Sequence, residues 1–326
     1  VSNSFTDDPE LQDIQDRLSD ADSEVRRIAL LELTDLAGDE HVPIIISSLA
    51  DPNPQIRAEA ARALEAFEND AAIAGLVSIL DDADAQVREA AAHSLSVLKQ
   101  QQSALQILPH LSSPKPFVKA ALFRALRELR IEESFIPALA ALADQDTTVR
   151  REAVTVLGYL KNPQALPALT SLITDDPEAD VRRAAVGAVG FAEDDTVLPA
   201  LLVGLADIAW QVREEAATTI GKLRLENAQA HLIKAMQDDY WQVRVRAARA
   251  LGRLKHPGAV PILVETLGHA ISNLRKEAAL ALGEIGATEA LPALEQAGND
   301  SDPDVRKSVR LAIAQIHARQ AEDVQR

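Results

Sequence analysis

The groups in this sequence that could do acid–base or metal chemistry are seven histidines and 50 Asp and Glu residues, set against 33 Lys and Arg. The histidines stand apart, at His41, His93, His110, His231, His256, His269 and His317, and none falls in an HExxH pair or at metal-ligand spacing. Cysteine is absent, which excludes disulfides, thiolate metal ligation and a cysteine nucleophile. No GxSxG elbow, Walker loop or strand-associated GxGxxG occurs. His93 alone is worth watching for a ligand or acid–base role, and a plain surface residue is the competing reading. No catalytic, cofactor-binding or metal-binding residue is expected.

The chemistry that remains is recognition. Trp210 and Trp241 are the only tryptophans, 31 residues apart, with Tyr240 beside the second. Tyr159 and Phe191 share another register position, which Lys222 and Arg253 occupy in the following copies. Arg246, Arg249 and Arg253 follow Trp241 closely. Trp, Tyr and Arg dominate interface hot spots, so these residues form a candidate partner-binding edge. The competing reading packs each Trp under a neighbouring turn as a seam.

What positions them is a repeat. Arg26, Arg57, Arg88, Lys119, Arg150, Arg182, Arg213, Arg244, Arg275 and Arg306 are spaced by 31 residues, with a single spacing of 32 between Arg150 and Arg182. An aliphatic residue precedes each, and an Asp stands six residues upstream in eight of the ten, Ser113 and His269 being the exceptions. Self-similarity at this period means stacked units, each touching mainly its neighbours. Every unit predicts two helices. Helix A often opens Leu-Pro-Ala-Leu, as at Leu166, Leu198 and Leu291. Helix B carries the Arg, with Pro54, Pro116 and Pro303 at its first position and Asp22, Asn53, Asp84, Asp146 and Asp302 as N-caps. Its apolar residues fall at offsets −1, +3, +7 and +10 from the Arg, for example Val243, Ala247, Leu251 and Leu254, one face at period 3.6. Gly158, Gly190, Gly221, Gly252 and Gly283 share offset +8. Gly costs ~1 kcal/mol inside a helix, so five in register predict close approach of successive B helices. Gly187 and Gly190 read as packing inside a helix. The sequence around Ser113-Pro114-Lys115-Pro116 predicts a kink or wider spacing in the fourth repeat.

Charge is sorted along helix B. The outward offsets +1 and +5 hold Arg27, Arg62, Arg124, Arg151, Arg183, Arg249, Lys276 and Lys307 against only Glu89 and Glu214. The helix dipole does not explain this, because anions are favoured near an N-terminus. Two readings stand: a basic groove for an acidic partner, with Arg151 and Arg183 in it, or a surface that pairs with Glu59, Glu152, Glu215 and Glu277 at offset +2.

The pattern Asp-x-x-x-x-Val-Arg-x-x-Ala-Ala-x-Ala-Leu-Gly resembles the short HEAT repeats of the phycobilisome-lyase type over residues 8–317. The resemblance implies an all-α fold, an α-solenoid wound as a right-handed superhelix of about ten two-helix repeats. It also implies that the motif Asp and Arg, among them Asp207, Arg213, Asp238 and Arg244, form a structural ladder between neighbouring repeats. Breaks are expected at Lys119 with Ser113 and at Arg275 with His269. A polar lead-in is expected at residues 1–7 and a polar C-terminal tail at 318–326, the last helix ending near His317.

The function expected is a non-catalytic scaffold that binds a partner protein with an acidic surface through its concave side and the edge of repeats 5–9. Alternatives implied by the resemblance are a phycobilin lyase or isomerase subunit, or a phycobilisome-associated factor, with a bilin chromophore as ligand and a possible second HEAT-repeat subunit. An iron–sulfur assembly partner is a further alternative. The net charge of −17 argues against bulk nucleic-acid or anionic-membrane binding. No apolar run approaches the ~20 residues of a membrane span, and no signal peptide is visible, so no membrane insertion and a cytoplasmic location are expected.

Overall fold

The structure is a computed structural model that describes residues 9–36 and 38–324. The lead-in expected at residues 1–7 lies outside these. Helices and turns account for the described residues, and no strand occurs among them. None of the described helices is long and apolar enough to cross a membrane.

After an opening helix, Pro9–Leu18, the repeats follow as helix pairs. Helix A is short, and from the fifth Arg onward it is usually entered through a 3-10 turn. Leu166–Asp175, Leu198–Leu205 and Leu291–Ala297 begin at the Leu-Pro pairs, where the missing proline N–H has no helical partner to lose. The B helices are Ser23–Asp35, Pro54–Ala63, Ala85–Ser96, Pro116–Leu126 and Thr147–Leu160, then Ala179–Ala188, Trp210–Leu223, Trp241–Leu254, Ser272–Ile285 and Pro303–Val324. They are numbered by repeat, 1 to 10. The caps are as the residue types dictate: Asp22, Asn53, Asp84, Asp146 and Asp302 each accept a backbone N–H two residues on.

The chain divides into two compact units, residues 1–160 and 161–326. In the first, Ser94 Oγ donates to the Ala61 carbonyl at 3.0 Å, fastening helix B of repeat 3 to that of repeat 2. In the second, Thr219 Oγ1 makes the equivalent bond to Val186 at 3.2 Å. The apolar face is the one the period predicts: Val243, Ala247 and Leu251 are fully buried, while Leu254 is half-buried.

Glycine explains how closely the second unit packs. A Cβ on Gly221 would lie 2.8 Å from the Ala250 Cα, one on Gly252 2.8 Å from the Ala281 Cα, and one on Gly283 2.7 Å from the Ala312 Cα. Successive B helices therefore touch backbone to backbone. Gly190 differs from the expectation. Helix B of repeat 6 ends at Ala188, so Gly190 lies in the turn beyond it, close to Lys222.

Two features were not expected. First, Arg130, Lys161, Arg224 and Lys255 adopt left-handed backbone conformations with φ of 51–54° at the ends of their B helices, a position Gly286 fills in repeat 9. A non-glycine residue there costs roughly 1–3 kcal/mol. Second, the last helix does not end near His317. It runs through the stretch read as a tail to Val324, where Arg319 donates to the Ile285 carbonyl at 2.7 Å.

Candidate partner-binding edge

The turn between helices A and B is built in most repeats by one Asp and one Arg. In repeat 7, Arg213 Nη1 donates to the carbonyls of Asp207 and Ile208, closing its own turn. Its Nε and Nη2 then reach Asp238 of the next repeat at 2.6 and 2.9 Å. The same Asp238 oxygen accepts the Tyr240 N–H. Arg26–Asp51, Arg57–Asp82, Arg182–Asp207 and Arg275–Asp300 repeat this bidentate geometry, and Lys119 pairs with Asp144. Hydrogen bonds from Arg26 and Arg57 lower the Asp51 and Asp82 carboxyls. Burial would raise Asp207 and Asp238, but the arginine and backbone N–H bonds outweigh it and hold both low.

Because each Arg reaches forward by one repeat, the breaks fall elsewhere than expected. Lys119 and Arg275 are paired. The interrupted rungs are those of Arg88, which faces Ser113, and Arg244, which faces His269. Arg88 lies instead over the Phe117 ring, 5.5 Å from its centroid. His269 Nδ1 accepts the Ile271 N–H at 3.0 Å. A neutral imidazole has one acceptor nitrogen, so its Nε2, 3.3 Å from Arg244 Nη1, has none to offer, and Arg244 Nε is buried without a partner.

The basic stripe is largely paired with itself. Arg27 bonds Glu59 at 2.8 Å, Arg124 and Arg151 share the buried Glu152, and Arg249 grips the buried Glu277 through two nitrogens. Arg183 lies 3.9 Å from Glu215, whose carboxyl is raised chiefly by burial, and Arg246 bonds Glu214 at 3.1 Å. All four Glu residues at offset +2 are thus engaged, by five of the eight cations of the stripe. Exposed His93 lies 3.7 Å from Glu65, and no cluster of metal-ligating side chains occurs among the described residues.

The aromatic residues separate into two ends of the helices. Tyr159 lies in the last turn of its B helix beneath the Arg130 guanidinium, 5.5 Å from the ring centre, and half-buried Phe191 follows the end of helix B in repeat 6. Lys222 and Arg253 are also in last turns. Arg253 is therefore ~18 Å along the helix from Trp241, not beside it. Trp210 and Trp241 are at the first positions. Half-buried Trp210 stacks on Tyr240 of the next repeat, centroids 5.4 Å apart and planes 12° from parallel, and Arg213 lies 5.6 Å from the same ring. Tyr240 and Trp241 are 45% and 36% exposed.

Ile208, 93% exposed in the adjoining turn, completes the edge and was missed. Its signal was present: the same register position elsewhere holds Ala21, Pro52, Ala83, Pro114, Gln145, Pro177, Asp239, Ala270 and Ser301, so a large aliphatic there is unique. Ala209 and Tyr240 occupy N-cap positions and supply no side-chain hydrogen bond. Each forgoes roughly 0.5–2 kcal/mol of capping.

A family profile described as HEAT repeats matches residues 11–96, 73–148, 102–190, 136–221, 171–243 and 229–314. This chain belongs to the HEAT-repeat family. Its fold class, an all-α solenoid of helix pairs, follows. No curated protein matches this HEAT-repeat chain by sequence. Among solved structures it is similar to YibA of Escherichia coli, with 21% identity, TM-score 0.62, and coverage of 79% of this chain and 95% of that one. Kap95p, in a structure concerned with its binding to RanGDP, is 16% identical with TM-score 0.68; 94% of this chain is covered, which spans 50% of Kap95p. The CpcE–CpcF complex of phycocyanin lyase from Nostoc sp. PCC7120 is 24% identical over 65% of this chain and 94% of that one, with TM-score 0.45. The likenesses to YibA and Kap95p are of fold.

Proposed function

We propose that this HEAT-repeat chain is a non-catalytic scaffold that binds a partner protein through the turn edge of repeats 7 and 8. Ile208, Tyr240 and Trp241 are the apolar anchors, and Trp210 is the buttress behind Tyr240. The supporting observation is that two adjacent turns lack an N-capping side chain and carry large apolar residues beside the cap, three of them substantially exposed. The Trp210–Tyr240 stack returns part of that stability to the fold. The exposed faces of Ile208, Tyr240 and Trp241 return none, whereas burying such side chains against a partner is the usual source of interface energy. Kap95p uses a solenoid of the same class to bind RanGDP, so the fold is suited to the task.

Affinity purification on the wild type and on Tyr240→Ala/Trp241→Ala tests this reading. A folded protein that co-elutes with the wild type is expected to lose about 2 kcal/mol or more of binding per residue in the variant, while the far-UV spectrum stays unchanged. An absorption spectrum of the eluate separates an adaptor from a pigment-handling subunit. Equal recovery with both proteins would contradict the proposal.

A further inference from the structure

We infer that the opposite end of the same B helices carries a docking site for an extended acidic protein segment. Arg224, Arg253, Lys255 and Arg319 line a cleft of about 780 Å³ at the C-terminal ends of helices B of repeats 7 to 9, with Glu284 and Glu322 as its carboxylates. The four cations are exposed and make no close ion pair among the described residues. That sets them apart from the outward stripe, where Glu152, Glu215 and Glu277 hold their arginines. A net positive cleft on a chain of net charge −17 gives an acidic segment one place where the field attracts it.

The cations are also spaced. Arg224 and Lys255 occupy the same register position in successive repeats, both in the left-handed conformation that favours glycine. Repeat 9 has Gly286 there, and Arg319 from the last helix lies against it, where a Cβ would come within 2.8 Å of the arginine Cδ. Three successive rungs thus present a cation although the third comes from a different element. Neighbouring helices lie ~8–10 Å apart, and an extended chain in the polyproline II form advances ~3.1 Å per residue with about three residues per turn, so every third side chain faces the same way. Carboxylates three residues apart therefore match the rungs, whereas a single small anion can engage only one gap. Across the 14-residue helices Trp210–Leu223 and Trp241–Leu254, this cleft is ~20 Å from the aromatic edge. One partner can hold both ends.

This inference rests on the partner-binding reading but not on the aromatic residues, since Tyr240→Ala/Trp241→Ala leaves all four cations in place. The test is fluorescence anisotropy at low salt with a dye-labelled peptide bearing Glu at every third position in a Gly/Ser background. The wild type is expected to bind it, more weakly as salt rises, and more tightly than a peptide with the same Glu residues contiguous. Arg224→Gly/Lys255→Gly, which removes charge where the backbone prefers glycine, is expected to weaken binding at least tenfold with an unfolding midpoint no lower than that of the wild type. Unchanged affinity in that variant, equal binding of the two peptides, or inorganic pyrophosphate binding as tightly as the spaced peptide would each overturn the proposal.

Discussion

Gly252→Val is expected to destabilise the second unit by about 2–3 kcal/mol. The first atom of the new side chain would stand 2.8 Å from the Ala281 Cα and 3.0 Å from its Cβ. A backbone atom cannot rotate away, so the collision can be relieved only by separating two B helices along their contact. Overpacking of this kind costs roughly 1–3 kcal/mol, and valine recovers only about 0.4 kcal/mol of helix propensity over glycine. Hydrogen exchange should show the loss concentrated in Trp241–Leu254 and Ser272–Ile285, as expected of an array stabilised by nearest neighbours. Gly268→Ala is the control. Its added Cβ meets nothing closer than a carbonyl at 3.6 Å, so it should fold with wild-type stability.

Cutting one rung should cost as much. Asp238→Ala leaves Arg213, whose side chain is 14% exposed, without its carboxylate, and it frees the Tyr240 N–H. Removing one member of a well-buried pair costs about 3–5 kcal/mol; this one keeps some solvent, so about 3 kcal/mol is expected in chemical denaturation. The converse applies at the broken rung. His269→Asp supplies the acceptors that His269 cannot, one for the Ile271 N–H and one for the orphaned Arg244 Nε. It should stabilise the protein by about 1–2 kcal/mol. A destabilised His269→Asp would contradict the ladder geometry given above.

Repeat number, helix pairs, caps and the contacts of Gly221, Gly252 and Gly283 were legible because each depends on residue type at a fixed offset. The direction of the ladder was not. An Asp six residues before an Arg suggests a pair within one repeat, while the guanidinium actually has two jobs: Nη1 closes its own turn and the other nitrogens reach forward. The stripe was ambiguous for a related reason. Arg124 and Arg249 look unpaired along their own helices, and only the stacking of B helices brings Glu152 and Glu277 within reach. The left-handed Arg224 and Lys255 left no trace, since nothing local distinguishes them from helical residues; Gly286 was the sole hint. The final helix was cut short because Ala318–Val324 has no apolar stripe, yet Arg319 ties it to Ile285. At the aromatic edge the tryptophans were visible from their shared register, whereas Ile208 required comparing one turn position across ten repeats.

The most direct measurement of the aromatic edge is the accessibility of Trp241 in a Trp210→Phe variant, which keeps an aromatic ring against Tyr240 and leaves one indole to report. In the free protein its emission should be red-shifted and readily quenched by acrylamide, consistent with 36% exposure. Saturation with the captured partner should shift the emission to the blue and protect it from the quencher. A partner that binds fully while Trp241 remains as quenchable as before would show that the interface lies elsewhere.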